Sequence, residues 1–171
     1  MSYGTGSLVF TFNVAGEVQF RRELPGLVAR LQDWTPAFER IAEHFREHMA
    51  EVFASEGSAN AAGKWRDLSP RYAAWKAKHY PGKTILVREG VLQRALTRRN
   101  AKGSLRRIGK NTLTVGARVR TPNGRWDLGL IHQEGSSDGR VPQRKIIAIP
   151  PSVQARWLQF LREEMSWEGK G

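Results

Sequence analysis

The sequence predicts an α+β fold: a small antiparallel β-sheet or partly open barrel packed with a long amphipathic helix, plus shorter helices and a C-terminal helix. Three observations carry that expectation. From Pro36 to Ser55 apolar residues recur at a spacing of three and four. Ser104 to Ile108 and Thr112 to Ala117 alternate on either side of Gly109-Lys110-Asn111, the pattern of a β-hairpin. The order is strands, then helices, then strands and a last helix, with no internal repeat. The 171 residues fit a single domain, 1–171, with 1–23 as a β-hairpin arm and 54–64 as a mobile loop.

In chain order, Leu8 to Val14 alternates and is rich in β-branched and aromatic residues, so it reads as a strand. After a turn at Ala15-Gly16, Glu17 to Phe20 returns as a second strand, and Leu24 to Leu31 as a short helix. Thr35-Pro36 then opens the long helix by the cap-then-proline rule. Its stripe is Phe38, Ile41, Ala42, Phe45, Met49, Val52 and Phe53. Ser69-Pro70 caps another helix carrying Tyr72, Trp75 and Lys76, which stops at Tyr80-Pro81-Gly82. Ile85 to Val87 is a short apolar run, and Val91, Leu92, Ala95 and Leu96 have helical spacing. Within the hairpin, alternation does not place all the arginines together: if Leu105 points inward, Arg106 points outward and Arg107 inward. Val119 extends the second hairpin strand, Trp126 to Gln133 reads as a strand, Glu134 to Val141 as a loop, and Lys145 to Ile149 as a further strand. Pro150-Pro151-Ser152 starts a C-terminal helix with the stripe Val153, Trp157, Phe160, Leu161 and Met165.

Charge is the strongest compositional signal. The net charge is +12 and it is unevenly placed. Residues 1–55 carry 5 basic and 7 acidic groups, residues 56–149 carry 20 and 6, and residues 150–171 carry 3 and 3. A folded region with a net of +14 attracts polyanions through a salt-sensitive field. The alternatives are a solubilising surface or a complement to an acidic protein. There is no cysteine, which excludes disulfides and thiolate metal sites and fits a reducing compartment. The opening residues lack the pattern of a secretory signal, and no apolar run approaches the roughly 20 residues of a membrane span.

Chemistry-bearing motifs are sparse. His44-Phe-Arg-Glu47-His48 matches a zinc pattern on a helix, but charged helices produce it by chance and His48 borders the apolar stripe. His132 has no nucleophile or carboxylate that sequence alone can pair with it, so a histidine held by hydrogen bonds outweighs a catalytic one. No phosphate-binding glycine loop is present in a suitable context. The expectation is no catalytic residue, no metal and no cofactor. The basic loop and hairpin offer phosphate-type contacts, with a solvated hairpin as the plain alternative.

One ordered set of residues is more specific than any single motif. Gly63-Lys-Trp65-Arg-Asp-Leu68-Ser69-Pro70-x-Tyr72, Lys76, Ile85-Leu86 and Gly90-x-Leu92 are followed by Ile131-His132-Gln133-x-Gly135 and by Val141-Pro142-x-Arg144. This series resembles the phage virion morphogenesis (tail completion, head-tail joining) family over about 90 residues. Glu89 and Leu128-Gly129 depart from the family's usual residues. The resemblance implies a non-enzymatic virion protein at the head-tail junction, present in the host cytoplasm during assembly. It implies a homo-oligomeric ring, expected to be hexameric, around the DNA conduit, with neck, connector and tail-tube proteins and the genomic DNA as partners and no membrane. A basic nucleic-acid-binding module without a virion role is the alternative. Candidate assembly residues are Trp65, Leu68, Tyr72, Trp75, Leu86, Leu92, His132, Gln133, Pro142 and Arg144, and the Leu8 to Phe20 arm is a second candidate contact. Candidate conduit residues are Arg94, Arg98, Arg99, Lys102, Arg106, Arg107, Arg118 and Arg120.

Overall fold

The structure, a computed structural model, describes residues 8–13 and 33–165. Its elements are β1 (Leu8–Asn13), α1 (Thr35–Ala54), α2 (Pro70–His79), α3 (Val91–Thr97), β2 (Ser104–Ile108), β3 (Thr112–Ala117), α4 (Leu128–Glu134) and α5 (Pro151–Met165). The class is α+β, with an open antiparallel sheet of three strands in the order β1-β3-β2. The return strand at 17–20 and the helix at 24–31 lie outside the described residues.

Helix α1 organises the core. Its apolar stripe is wholly buried, and it packs against α3, α5 and the sheet. The Asp33 carboxylate accepts from the Thr35 amide, Pro36 sits in the first turn, and the Trp34 amide donates to Lys110 O at 2.8 Å. That last bond ties the helix start to the hairpin turn. On the C-terminal helix, Trp157, Phe160 and Leu161 close over α1, and Trp157 Nε1 donates to His44 Nδ1 at 3.1 Å. Met165, expected in that stripe, is exposed.

The hairpin forms where expected, with Ile108 opposite Leu113 and Ser104 opposite Ala117. Its alternation puts Arg106 and Arg107 on opposite faces, as expected, with Leu105 on the face of Arg107. Opposed residues share a face, so Arg106 lies on the side of the buried Leu113, Val115 and Ala117, while Leu105 and Arg107 take the other side. Arg106 tolerates this position because Glu39 of α1 receives its guanidinium. Strand β1 pairs with β3 of its own chain, Leu8 opposite Ala117 through Asn13 opposite Thr112. It forms one edge of this sheet, and the rest of the expected arm, 14–23, lies outside the described residues.

Two predicted strands are not strands. Residues 126–133 contain α4 instead, because Asp127 caps it by accepting from the Leu130 amide at 3.0 Å. Val119 does not extend β3; its carbonyl accepts from the Leu128 amide. Residues 145–149 form no strand and pair with none among the described residues. Side chains supply the missing ladder: Gln133, Asn60 and Trp65 bond the backbone of Lys145, Ile146 and Ile147. The 54–64 segment is likewise no free loop. The Ala61 amide donates to Ala148 O, the Ala59 amide to the Ser55 hydroxyl, and Asn60 is buried.

Candidate functional site

A cleft of about 1070 Å³ lies between the loop before α2, the 86–92 turn, α4 and the 139–144 loop. Leu68, Tyr72, Leu86, Leu92, His132, Pro142 and Arg144 all border it. Residues spread over some eighty positions of sequence therefore meet at one surface. Trp65, Gln133 and Trp75 do not line it.

Arg144 is the keystone of the cleft wall. It is 5% exposed; its Nε donates to Arg66 O at 2.7 Å and Nη2 to Asp67 O at 3.1 Å. Its amide donates to His132 O at 2.7 Å, so one residue locks the loop before α2 to α4. Lys76, 4% exposed, reaches inward from α2 and donates to Thr84 O. Burial lowers the pKa of both groups; for Lys76 the nearby Glu56 opposes that shift. The hydrogen-bond acceptors of these two cations are backbone carbonyls, which satisfy donors without cancelling charge. With Arg66, Arg88 and Arg140 also at the cleft against Asp67 and Glu89, the lining is cationic.

Backbone geometry shapes the walls. Leu86 has φ +61°, the left-handed region that side chains other than glycine rarely occupy. Its neighbours hold it there: the Ile85 amide donates to Glu56 Oε1 at 2.7 Å, and Ile85 and Val87 are buried. Gly135 has φ +80°, and a Cβ there would lie 3.0 Å from Gln143 N and 3.1 Å from Val141 O. Only glycine lets the 141–143 strand of loop pass this close to the end of α4.

His132 is mostly buried; its Nδ1 is enclosed and has no hydrogen-bond partner, and burial, then Arg144, lowers its pKa to about 4. The folded protein thus holds it neutral where an unfolded chain takes up a proton. Between pH 6.5 and 4 the unfolded state binds more protons, so stability falls as pH drops. A loss of about 2–3 kcal/mol is expected across that window, read as a lowered urea midpoint, and His132→Gln should flatten most of it. His48 shifts the same way through burial, so a residual slope should remain.

Trp65, Gln133, Trp75 and the conduit candidates fall outside the cleft that Leu92 and Tyr72 border. Trp65 is 3% exposed, edge-on to Phe53 at 5.4 Å and bonded from Nε1 to Lys145 O at 2.8 Å. It is core of its own chain, not a plug offered to a neighbour. Gln133 is bound up in the 145–149 backbone, and Leu92 is buried. Tyr72 and Trp75 are exposed on α2. Of the conduit candidates, Arg94, Arg98, Arg99, Lys102, Arg107, Arg118 and Arg120 are exposed, and Arg106 is engaged with Glu39. Lys102 and Arg118 share one end of the sheet, where the Arg118 amide donates to Gly103 O. His44 Nδ1 accepts from Trp157, and no group of three or more metal-ligating side chains occurs among the described residues.

Sequence reasoning missed Asn60, Glu56 and Arg140. Arg140 lies in the loop between two signature pieces, a position that could have drawn notice. Asn60 sits in a run of small residues, and no local signal marks it. Compared with protein-family models, curated proteins and solved structures, the chain matches none. No helix among the described residues is long and apolar enough to cross a membrane.

Proposed function

We propose that this protein is a structural virion component of a tailed phage, a subunit of a ring at the head-tail junction that completes the tail and joins it to the DNA-filled head. The observation that carries the reading is the convergence of most of the ordered signature residues, though not Trp65 or Gln133, on one cleft, held by Arg144, Gly135 and the Ser69 cap. The signature is then a structural unit with a physical reason for its order. A ring subunit of this kind uses no catalytic group or cofactor.

The exposed basic groups around the hairpin suit a DNA conduit, since a ring multiplies whatever charge one subunit presents to the lumen. The same groups favour the second reading, a nucleic-acid-binding module without a virion role. The two differ in assembly. A ring subunit forms closed oligomers, alone or with its neck partners, visible by native mass spectrometry and negative-stain microscopy. A binding module stays monomeric, and its DNA affinity falls steeply with salt, about 10³-fold or more between about 50 and 200 mM for six or more phosphate contacts.

Reversing Arg98, Arg99 and Lys102 to glutamate should leave the melting temperature nearly unchanged, because all three are exposed. In phage carrying the variant, infectious titre should fall at least about tenfold, reflecting impaired passage or retention of a polyanion. Normal titre would remove this loop from the lumen.

A further inference from the structure

Helix α2 has an outward face that no other described element covers. Lys76 is its one buried residue, and Tyr72 and Trp75 stand 42% and 40% exposed. The rings are already ordered. Trp75 lies stacked between Tyr72, a turn earlier with centroids 5.4 Å apart, and His79, a turn later at 4.7 Å. Arg71, Trp75 and Lys78 share a stripe at helical spacing. No acidic residue occurs from Ser69 to Arg88. The face is a rigid aromatic plate edged with cations, and it fits a flat, anionic partner.

The chain itself carries such a surface. On the solvent side of α1, Glu43, Glu47, Ala50, Glu51 and Ala54 are all exposed. Residues 43, 47, 50 and 54 follow the three-and-four spacing of one helix face. The alanines leave room for ring edges between the carboxylates. Glu47 and Glu51 make no ion pair with another described residue. Nucleic acid is a poorer fit, because base stacking needs an open ring face and Trp75 has its two neighbours stacked along the helix.

We infer that α2 docks on the α1 face of a second copy of this chain. The two patches are different, so the contact is heterologous, and repetition gives either a closed ring or a filament. This rests on the ring reading and supplies its subunit interface.

The test uses the full chain and mass photometry over a concentration series. Arg71→Glu with Lys78→Glu should weaken assembly at least tenfold in dissociation constant, and Glu47→Lys with Glu51→Lys should do the same. All four changes in one chain should restore it, because the complementarity is then reversed but intact. Assembly of the unaltered chain that neither pair weakens overturns this contact while leaving the ring standing. An unaltered chain that stays monomeric with its neck partners present overturns both. If the α2 pair weakens binding to a duplex DNA probe while the α1 pair leaves assembly unchanged, the face belongs to DNA and the inference fails.

Discussion

Truncating Trp65 to alanine is expected to destabilise the monomer by about 3–5 kcal/mol, the usual cost of removing a large ring from a packed core. The ring is 3% exposed, and it bridges three parts of the chain. It packs edge-on to Phe53 near the end of α1, lies over Gly57, and sends its indole N–H to Lys145 O. A Cβ at Gly57 would come within 2.6 Å of the indole, so the turn and the ring are fitted to each other. For a chain of this size that loss lowers the melting temperature by about 10 °C or more. Trp65→Phe separates the parts: most of the packing stays, the bond to Lys145 O goes, and about 1–2 kcal/mol should be lost. An unchanged melting temperature together with weakened assembly would move Trp65 from core to interface.

Trp65 also shows where sequence reading stops. An aromatic residue in a polar loop looks the same in sequence whether it fills its own core or a neighbour's. The groups that decide the matter, Phe53, Gly57 and Lys145, include one eighty residues away. The elements that were legible are those with local causes. Helix α1 announces itself through its stripe, α2 through Ser69-Pro70, and the hairpin through alternation around its turn. The α+β class follows from those alone.

The misreadings have non-local or ambiguous causes. Residues 126–133 are a short apolar run, which periodicity cannot assign, and the deciding Asp127 cap lay in plain view. Residues 54–64 are small and polar like a linker, yet Asn60 is anchored to Lys145 and Ile146. In β2, no sequence pattern shows that Glu39 of α1 takes the half-buried Arg106, which shares the face of Leu113 and Val115, while Leu105 lies on the other face. Of the cleft, the border residues were legible as an ordered series. Their meeting around buried Arg144 and Lys76 was not, because both bond backbone carbonyls that no sequence pattern names.

Gln133→Leu is expected to cost about 3–5 kcal/mol, comparable to losing a core ring although no ring is lost. The Gln133 carboxamide takes the place of a neighbouring strand. Its Oε1 accepts from the amides of Ile146 at 2.7 Å and Ile147 at 3.0 Å, and its Nε2 donates to Ile147 O at 2.9 Å. A leucine of similar size keeps the volume and strands three backbone groups, each costing about 1–3 kcal/mol where water cannot reach. Hydrogen exchange gives the specific readout: the amides of Ile146 and Ile147 should lose protection at least about tenfold more than those of α1, because local opening then precedes global unfolding. Asn60→Ala removes the bonds to Lys145 O and Ile146 O from the other side of the same segment. The two changes share one segment, so their costs should fall short of additive. Residue 145 follows Arg144 directly, and a segment released from Gln133 loosens the guanidinium that pins Arg66 and Asp67. The cleft wall is therefore as stable as the strandless strand beside it, and Gln133 sits next to His132 because one short helix must serve both.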